Sequence, residues 1–148
     1  MTSNDDSTLY TLGDRGQTVD GSANDVRGLE VKDSDGASMG TVADLLIDGR
    51  ESKVRFLLVE HGGLLGFGKT KTLIPVDAVT QVTEDAVLIN LSRDRVASAP
   101  GYAPHLVNDR EHHSSIYSHF GYEPYWAPGY RYPVGLGVGL GILPMSHP

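Results

Sequence analysis

The sequence contains no cysteine, and this absence excludes several classes of protein. Disulfide scaffolds, thiolate zinc sites, iron–sulfur centres and cysteine nucleophiles all require a thiol. The absence fits a reducing compartment, where disulfides are rare. Candidate sites must therefore be built from backbone groups and from side chains that carry oxygen or nitrogen.

A surplus of basic residues is also missing. Lys and Arg total 12 against 19 Asp and Glu, so the formal charge is −7. Binding to nucleic acid phosphates needs a local excess of Lys or Arg, and no basic stripe is present. We therefore expect no nucleic acid partner.

Long hydrophobic runs are absent as well. The longest, residues 134–143, has ten residues and includes four glycines, whereas a membrane-spanning helix needs about 20 apolar residues. The first residues are polar and acidic, unlike a secretory signal with its positive start and apolar core. We expect a soluble, cytoplasmic protein that is not bound to a membrane.

Proline and aromatic residues are scarce in the first two-thirds of the chain. Seven of the eight prolines, six of the seven tyrosines and the single Trp lie at or after Pro100, whereas all four lysines precede it. This asymmetry predicts three parts. They are a flexible acidic arm at 1–25, a folded domain at 26–98, and a tail rich in Pro, Gly, His and aromatic residues at 99–148.

Alternating apolar and polar residues in the middle part predict short strands. The alternation begins near residues 29–32 and continues at 39–48, 53–61, 70–74, 80–83 and 86–91. Asp-Gly and other turn signals separate the strands, with a helical turn predicted at 76–79 and a short helix at 93–98 capped by Ser92. Strands joined in order by tight turns indicate an all-β fold, a small antiparallel meander barrel that is closed or partly open.

The third predicted strand is apolar on both faces. Val54, Phe56 and Leu58 share one face, and Leu57 and Val59 lie on the other. A barrel with one wet face alternates more cleanly, so part of its exterior is expected to be covered. The candidates are the tail, or a second copy of the chain in a homodimer.

The tail carries the candidate interaction residues. A helix is predicted at 108–120, with Asn108 or Asp109 as its cap. Tyrosine and tryptophan are typical anchors of protein interfaces, and stacking on nucleic acid would need more basic neighbours than the tail has. We expect the tail to cover its own barrel first, with binding to another protein as the alternative. The proposed contact residues are Leu57, Val59, Phe120, Tyr122, Tyr125, Trp126, Tyr130 and Tyr132.

Residues 63–70 match the phosphate-binding pattern G-x-x-x-x-G-K-[ST]. The pattern works only when a helix follows, so that backbone N–H groups point at the phosphate. Here the following residues favour a strand, and Pro75 comes six positions after Lys69. The segment is therefore interpreted as a glycine-rich hairpin loop.

Two further sets of side chains are weak candidates for chemistry. Asp44 and Asp48 share a strand face, and we expect Asp44 to be solvated and Asp48 to serve a turn. In the tail, His112 and His119 are seven residues apart and predict a polar, solvent-facing helix. Neither set supplies a complete group of nucleophile, base and orienting residue, or enough metal ligands. We predict no enzyme activity, no catalytic or metal site and no cofactor.

Several segments together resemble one known family, the PRC-barrel domain, over about residues 26–98. The resemblance is carried by residues 27–31, 36–48, 54–59, 73–79 and 86–91. The family includes the cytoplasmic domain of the photosynthetic reaction centre H subunit, the C-terminal domain of the ribosome maturation factor, and stand-alone bacterial and archaeal proteins. The resemblance implies that the fold is a small meander β-barrel. It also implies a role in protein interaction, which is the theme that the family members share.

The resemblance and the tail together predict a non-catalytic protein-interaction or scaffolding module with an unknown protein partner. Two alternatives remain open. One is a membrane-peripheral protein similar to the reaction centre H subunit. The other is a protein that binds a small ligand or metal through the loop at 62–69 or the tail histidines.

Overall fold

The computed structural model describes residues 9–11, 26–49, 53–62 and 69–132. Within these ranges the chain is mostly β, with seven strands and two helices. The strands are β1 (Leu9–Thr11), β2 (Glu30–Lys32), β3 (Ser38–Asp48), β4 (Lys53–Gly62), β5 (Lys69–Pro75), β6 (Val79–Val82) and β7 (Ala86–Ile89). The helices are α1 (Arg93–Ala97) and α2 (Arg110–Phe120), with single 3₁₀ turns at Val76–Ala78 and Pro104–Leu106.

The strands form one curled, half-barrel sheet in the order β5-β4-β3-β2-β7-β6, and β1 pairs with the end of β3. The prediction of an antiparallel meander is wrong for one pair, because β2 and β7 run parallel. The chain does not reverse by a hairpin between β5 and β6, since the 3₁₀ turn Val76–Ala78 joins them. One missing reversal leaves the last strand pointing the same way as β2, so the sheet is mixed.

The pairing of β3 with β4 contains an irregularity at Arg55. The register steps over this residue between the pairs Leu46–Phe56 and Ile47–Val54. Such a bulge redirects side chains and increases the local twist. As a result Arg55 and Phe56 both contact tail residues, although strict alternation would place them on opposite faces. The period-two assignment of faces in this strand therefore fails here.

Strand β4 is buried on both faces, as the sequence predicted. Its residues from Val54 to Val59 are all buried. The same hydrophobic cluster includes three residues of α2, namely Ile116, Tyr117 and Phe120. The tail thus packs on its own barrel, and the barrel and α2 share one core.

Helix α2 lies inside the predicted range, and its ends have clear causes. Asp109 is the N-cap, and its carboxylate accepts a hydrogen bond from the backbone N–H of His112 at 3.0 Å. Gly121 ends the helix in the left-handed region at φ 82°, which glycine adopts without strain. The backbone N–H groups of Gly121 and Tyr122 both donate to the Tyr117 carbonyl.

The prediction of a solvent-facing α2 is wrong. His113 is only 2% exposed and lies on a stripe with three other buried residues. The stripe consists of His113, Ile116, Tyr117 and Phe120. Its spacing of three, four and seven residues is that of one helix face, so the signal was present in the sequence.

The predicted cap of α1 is confirmed, because Ser92 accepts a hydrogen bond from the backbone N–H of Arg95 at 3.1 Å. Within the arm predicted to be flexible, Leu9–Thr11 instead form β1, which pairs with β3, and the backbone N–H of Leu9 donates to the side chain of Asn108. The rest of the arm, residues 63–68 and the glycine–aliphatic segment 134–143 lie outside the described residues.

Candidate interaction site

A buried ion pair lies beneath the tail, where β3 ends and β4 begins. Arg55 Nη2 and Nε donate to Asp48 Oδ2 at 2.8 and 3.1 Å. The two side chains are 4% and 3% exposed. Asp48 therefore anchors a buried cation, which corrects the prediction that it serves the turn. Burying two charges is unfavourable unless their partners are well placed.

Two tail tyrosines surround the Arg55 guanidinium. Its Cζ lies 4.3 Å from the ring centroid of Tyr125 and 5.7 Å from that of Tyr132. The Tyr132 hydroxyl donates to the carbonyl of Val54 at 3.1 Å. Burial raises the pKa of Tyr132 to about 12, so the hydroxyl keeps its proton and remains a donor. Cation–π contact and hydrogen bonding together hold the tail at the start of β4.

A second polar contact joins the tail to the turn before β6. The Tyr130 hydroxyl donates to Asp77 Oδ2 at 2.9 Å. Burial raises the pKa of Asp77, and the bond from Tyr130 acts in the opposite direction. Asp77 Oδ1 and the Tyr117 hydroxyl are buried and have no hydrogen-bond partner among the described residues. Only one of the two carboxylate oxygens of Asp77 therefore has a hydrogen-bond partner among the described residues.

Arg110, Tyr125 and Trp126 form a stacked surface that we call the platform. The Tyr125 and Trp126 rings meet edge to face at 5.1 Å between centroids. The Arg110 Cζ lies 4.2 Å from the Trp126 ring centroid. Trp126 also meets the buried Tyr117 ring edge to face at 6.0 Å. Both platform rings are half-buried and Arg110 is exposed, so the platform is fixed to the core on one side and accessible on the other.

The predicted contact residues divide into two groups. Leu57, Val59 and Phe120 are buried in the core. The others are half-buried in the tail, where the Tyr122 hydroxyl donates to Asn90 Oδ1 at 2.9 Å. Hydrogen bonds and ring contacts from the tail fall on Val54, Arg55 and Phe56 of β4. Coverage of Leu57 and Val59 by the tail stays a prediction.

Sequence reasoning missed the residues that hold this site together. They are Asp48, Arg55, Asp77, His113 and Tyr117. For Arg55 a signal was available, because an arginine inside an otherwise apolar strand is almost never buried without a partner. The partner itself could not be read from local pattern.

Ser98 and His119 lie close together where α1 meets α2. Their hydrogen bonds join the two helices and do not form a catalytic pair. Ser98 Oγ lies 3.2 Å from His119 Nε2, which is also 2.9 Å from the carbonyl of Arg95. A carbonyl only accepts, so Nε2 carries a proton and donates. Ser98 Oγ donates to the same carbonyl at 3.1 Å. An Nε2 that already holds a proton cannot take one from Ser98.

The phosphate-binding pattern is followed by a strand. β5 begins at Lys69 and pairs antiparallel with β4, with Gly62 opposite Lys69. A strand thus occupies the place where phosphate binding would need a helix. The interpretation of residues 63–68 as a glycine-rich loop stays a prediction, since they lie outside the described residues.

Two other features are absent from the part of the chain that the structure describes. No three acidic or histidine side chains in this part lie close enough together to hold a metal ion. Neither of the described helices has the length and apolar character needed to cross a bilayer.

Among known proteins, no curated protein matches the chain. A family model, the PRC-barrel domain, matches residues 20–96, just over half of the 148 residues. The match ends within α1, close to the boundary predicted at residue 98, and leaves the platform outside it. The chain belongs to the PRC-barrel domain family.

Proposed function

We propose that the chain is a non-catalytic protein-interaction module and that the platform is its contact surface. The observation that carries this proposal is the arrangement of Arg110, Tyr125 and Trp126. The Arg110 guanidinium lies over the Trp126 ring, the Tyr125 and Trp126 rings meet edge to face, and all three side chains are at least partly exposed. Tryptophan, tyrosine and arginine are the residues most enriched in the energetic centres of protein interfaces.

The fixed position of the platform supports this role. Trp126 rests on the buried Tyr117, and Tyr125 rests on Arg55, which is held by Asp48. Side chains already ordered before binding lose less conformational freedom in a complex. A partner would meet a surface whose geometry is set by the barrel.

The use of the polar side chains in the tail supports a role without catalysis. Tyr122, Tyr130 and Tyr132 each use the hydroxyl to bond the barrel. The Ser98–His119 contact is committed to the Arg95 carbonyl. Catalysis needs a reactive group with a base oriented beside it, and these groups are engaged in holding the tail.

The test uses single substitutions in the full chain, since deleting the tail would remove core residues such as Tyr117. Arg110→Ala removes the cation of the platform, and Arg131→Ala is the matched control on an exposed arginine of the same tail. Proteins captured from the host by wild type and both variants are quantified, and the leading candidate is purified for titration. We expect Arg110→Ala to weaken its affinity at least tenfold and Arg131→Ala to leave it unchanged.

Two outcomes would contradict the proposal. One is a purified partner that binds the wild type and Arg110→Ala equally. The other is a substrate turned over by the purified chain. Sedimentation at several concentrations separates a second copy of the chain from a different protein, because a homodimer through the platform dissociates in Arg110→Ala.

A further inference from the structure

His113 is a titratable side chain buried at the contact between α2 and the sheet. It is 2% exposed, and its ring centroid lies 5.2 Å from that of Phe56 at a tilt of 40°. The adjacent His112 ring is 6.2 Å away. The same helix carries Arg110 and Tyr117, which both contact Trp126, so release of α2 would displace the platform.

The imidazole environment suits a neutral ring and not a cation. Nε2 of His113 and Nε2 of His112 are both buried without a hydrogen-bond partner among the described residues. A protonated imidazole donates from both nitrogens, so a proton on His113 would leave a charged donor with no acceptor. Burial lowers the pKa of His113 to about 4, and the neighbouring His112 adds to the lowering.

The charged groups around His113 come mainly from its own helix. Arg110 also lowers its pKa, whereas Asp109 and a hydrogen bond with the Val107 backbone raise it. On the β4 side the ring meets the uncharged Phe56.

Other charges of the same interface do not provide a carboxylate for the imidazolium. Arg55 of β4 is a cation, and Asp48 is bonded to it. On the turn before β6, Asp77 accepts from Tyr130, and its pKa is raised by burial. Protonation of Asp77 in acid favours the docked tail, so it opposes any release driven by His113.

We propose that His113 is an acid-sensitive latch, whose protonation releases α2 and the platform from β4 while the sheet stays folded. The sheet has its own support in a backbone ladder and in buried aliphatic residues such as Val31 and Val87. The contacts of α2 with Phe56 are made by side chains, whereas β2 and β7 are paired through their backbones, so α2 can open without breaking this ladder. This latch stands or fails independently of the proposed interaction role.

The direction of the pH effect follows from the two protonation states. Above pH 6.5, the ordinary pKa of histidine, the ring is neutral in both the docked and the released tail, and docking is at full strength. Between pH 6.5 and about 4 only the released tail takes up the proton, so release becomes up to about tenfold more favourable per pH unit. The total shift approaches about 300-fold, and below that range it grows no further.

Trp126, the single tryptophan of the chain, reports directly on the state of the tail. Its fluorescence is followed from pH 7.5 to 4 in the full chain. His113→Phe keeps an aromatic ring against Phe56 but cannot titrate, and His105→Gln is the control at an exposed histidine. We expect wild type and His105→Gln to show a fluorescence transition in this range, and His113→Phe to show none.

Amide hydrogen exchange at pH 7 and 4.5 locates the release. We expect α2 to lose protection and the amides of Val31 and Val87 to keep it. The latch is overturned if Trp126 fluorescence is unchanged to pH 4, if His113→Phe keeps the transition, or if the sheet loses protection together with α2.

A direct titration covers the case in which His113→Phe does not fold. The His113 ring is followed by NMR in the wild-type chain. A midpoint well below 6.5 that coincides with the Trp126 transition supports the latch. A midpoint near 6.5 overturns it.

Discussion

The barrel and the tail are stabilised in different ways. The sheet is held by backbone hydrogen bonds between strands and by aliphatic side chains buried on both faces of β4. The tail is held by aromatic rings, by tyrosine hydroxyls and by contact with the guanidinium of Arg55. Aliphatic packing is non-directional, whereas ring, cation and hydroxyl contacts depend on position.

The family match covers one of the two regions and not the other. Residues 20–96 match the PRC-barrel model, and the tail lies beyond them. Yet Ile116, Tyr117 and Phe120 of the tail belong to the same core as the sheet. The tail is thus part of the folded unit even though it is outside the match.

The largest effect is expected at the ion pair that both regions share. Asp48→Ala leaves Arg55 buried without its carboxylate and should lower the free energy of unfolding by about 3–5 kcal/mol. Urea denaturation measures the loss, with Asp35→Ala as the control at an exposed aspartate of a turn. The double variant Asp48→Leu with Arg55→Met should recover most of the stability. If Asp48→Ala were as stable as the wild type, the ion pair would not help to hold the tail on the barrel.

A matched pair of glycines compares the two regions by the same substitution. A Cβ on Gly40 in β3 would lie 2.4 Å from the backbone oxygen of Glu60, so Gly40→Ala should destabilise by roughly 1–3 kcal/mol. A Cβ on Gly101, before α2, would meet nothing within 4 Å. Gly101→Ala should be neutral or stabilise by up to about 1 kcal/mol. Thermal unfolding of both variants checks the contrast, and equal losses would contradict it.

Tyr130→Phe should weaken the contact between the tail and Asp77. Loss of this hydrogen bond should lower stability by about 1–2 kcal/mol at pH 7. Because the folded-state pKa of Asp77 is raised, its contribution to stability falls as pH rises through that pKa. The hydrogen bond from Tyr130 lowers the pKa of Asp77, because it favours the carboxylate form. Loss of this hydrogen bond should therefore reduce stability less below pH 3.8, where Asp77 is protonated. Denaturation at pH 7 and 3.5 in a His113→Phe background, where the tail is expected to stay docked in acid, tests this, and an equal loss at both would reject it.

The smallest effect has the opposite sign. Tyr117→Phe removes a buried hydroxyl that has no partner among the described residues, and should stabilise by about 1 kcal/mol. Tyr132→Phe is the control, because its hydroxyl is bonded to the Val54 carbonyl and its removal should destabilise. A loss of stability in Tyr117→Phe would reveal an ordered water bonded to that hydroxyl.

Much of the fold was predictable because its signals are local. Alternation placed β2 to β7 within a few residues, and cap chemistry located Ser92 at the start of α1 and offered Asn108 or Asp109 for α2, of which Asp109 is the cap. The resemblance to the PRC-barrel domain is confirmed by the family match. The two-faced apolar strand correctly predicted that part of the barrel is covered.

The candidate site was predictable only in part. Sequence placed the aromatic residues in the tail, but it assigned Asp48 to a turn and made α2 solvent-facing. Both errors have one cause, since the partners that bury these groups are Arg55 in the next strand and Phe56 across the interface. Side-chain burial depends on such distant partners, and no local pattern names them.

The sequence by itself placed six of the seven described strands and both described helices to within a few residues, and it showed where the composition changes near Pro100. Those features depend on neighbouring residues, through alternation, turn residues and caps. Only the tertiary structure decided the pairing of β1 with β3, the parallel pairing of β2 with β7, the bulge at Arg55 and the partner of His113 across the interface. These depend on contacts between residues far apart in the chain, because strand direction and side-chain partners are settled when the sheet curls and the tail packs against it.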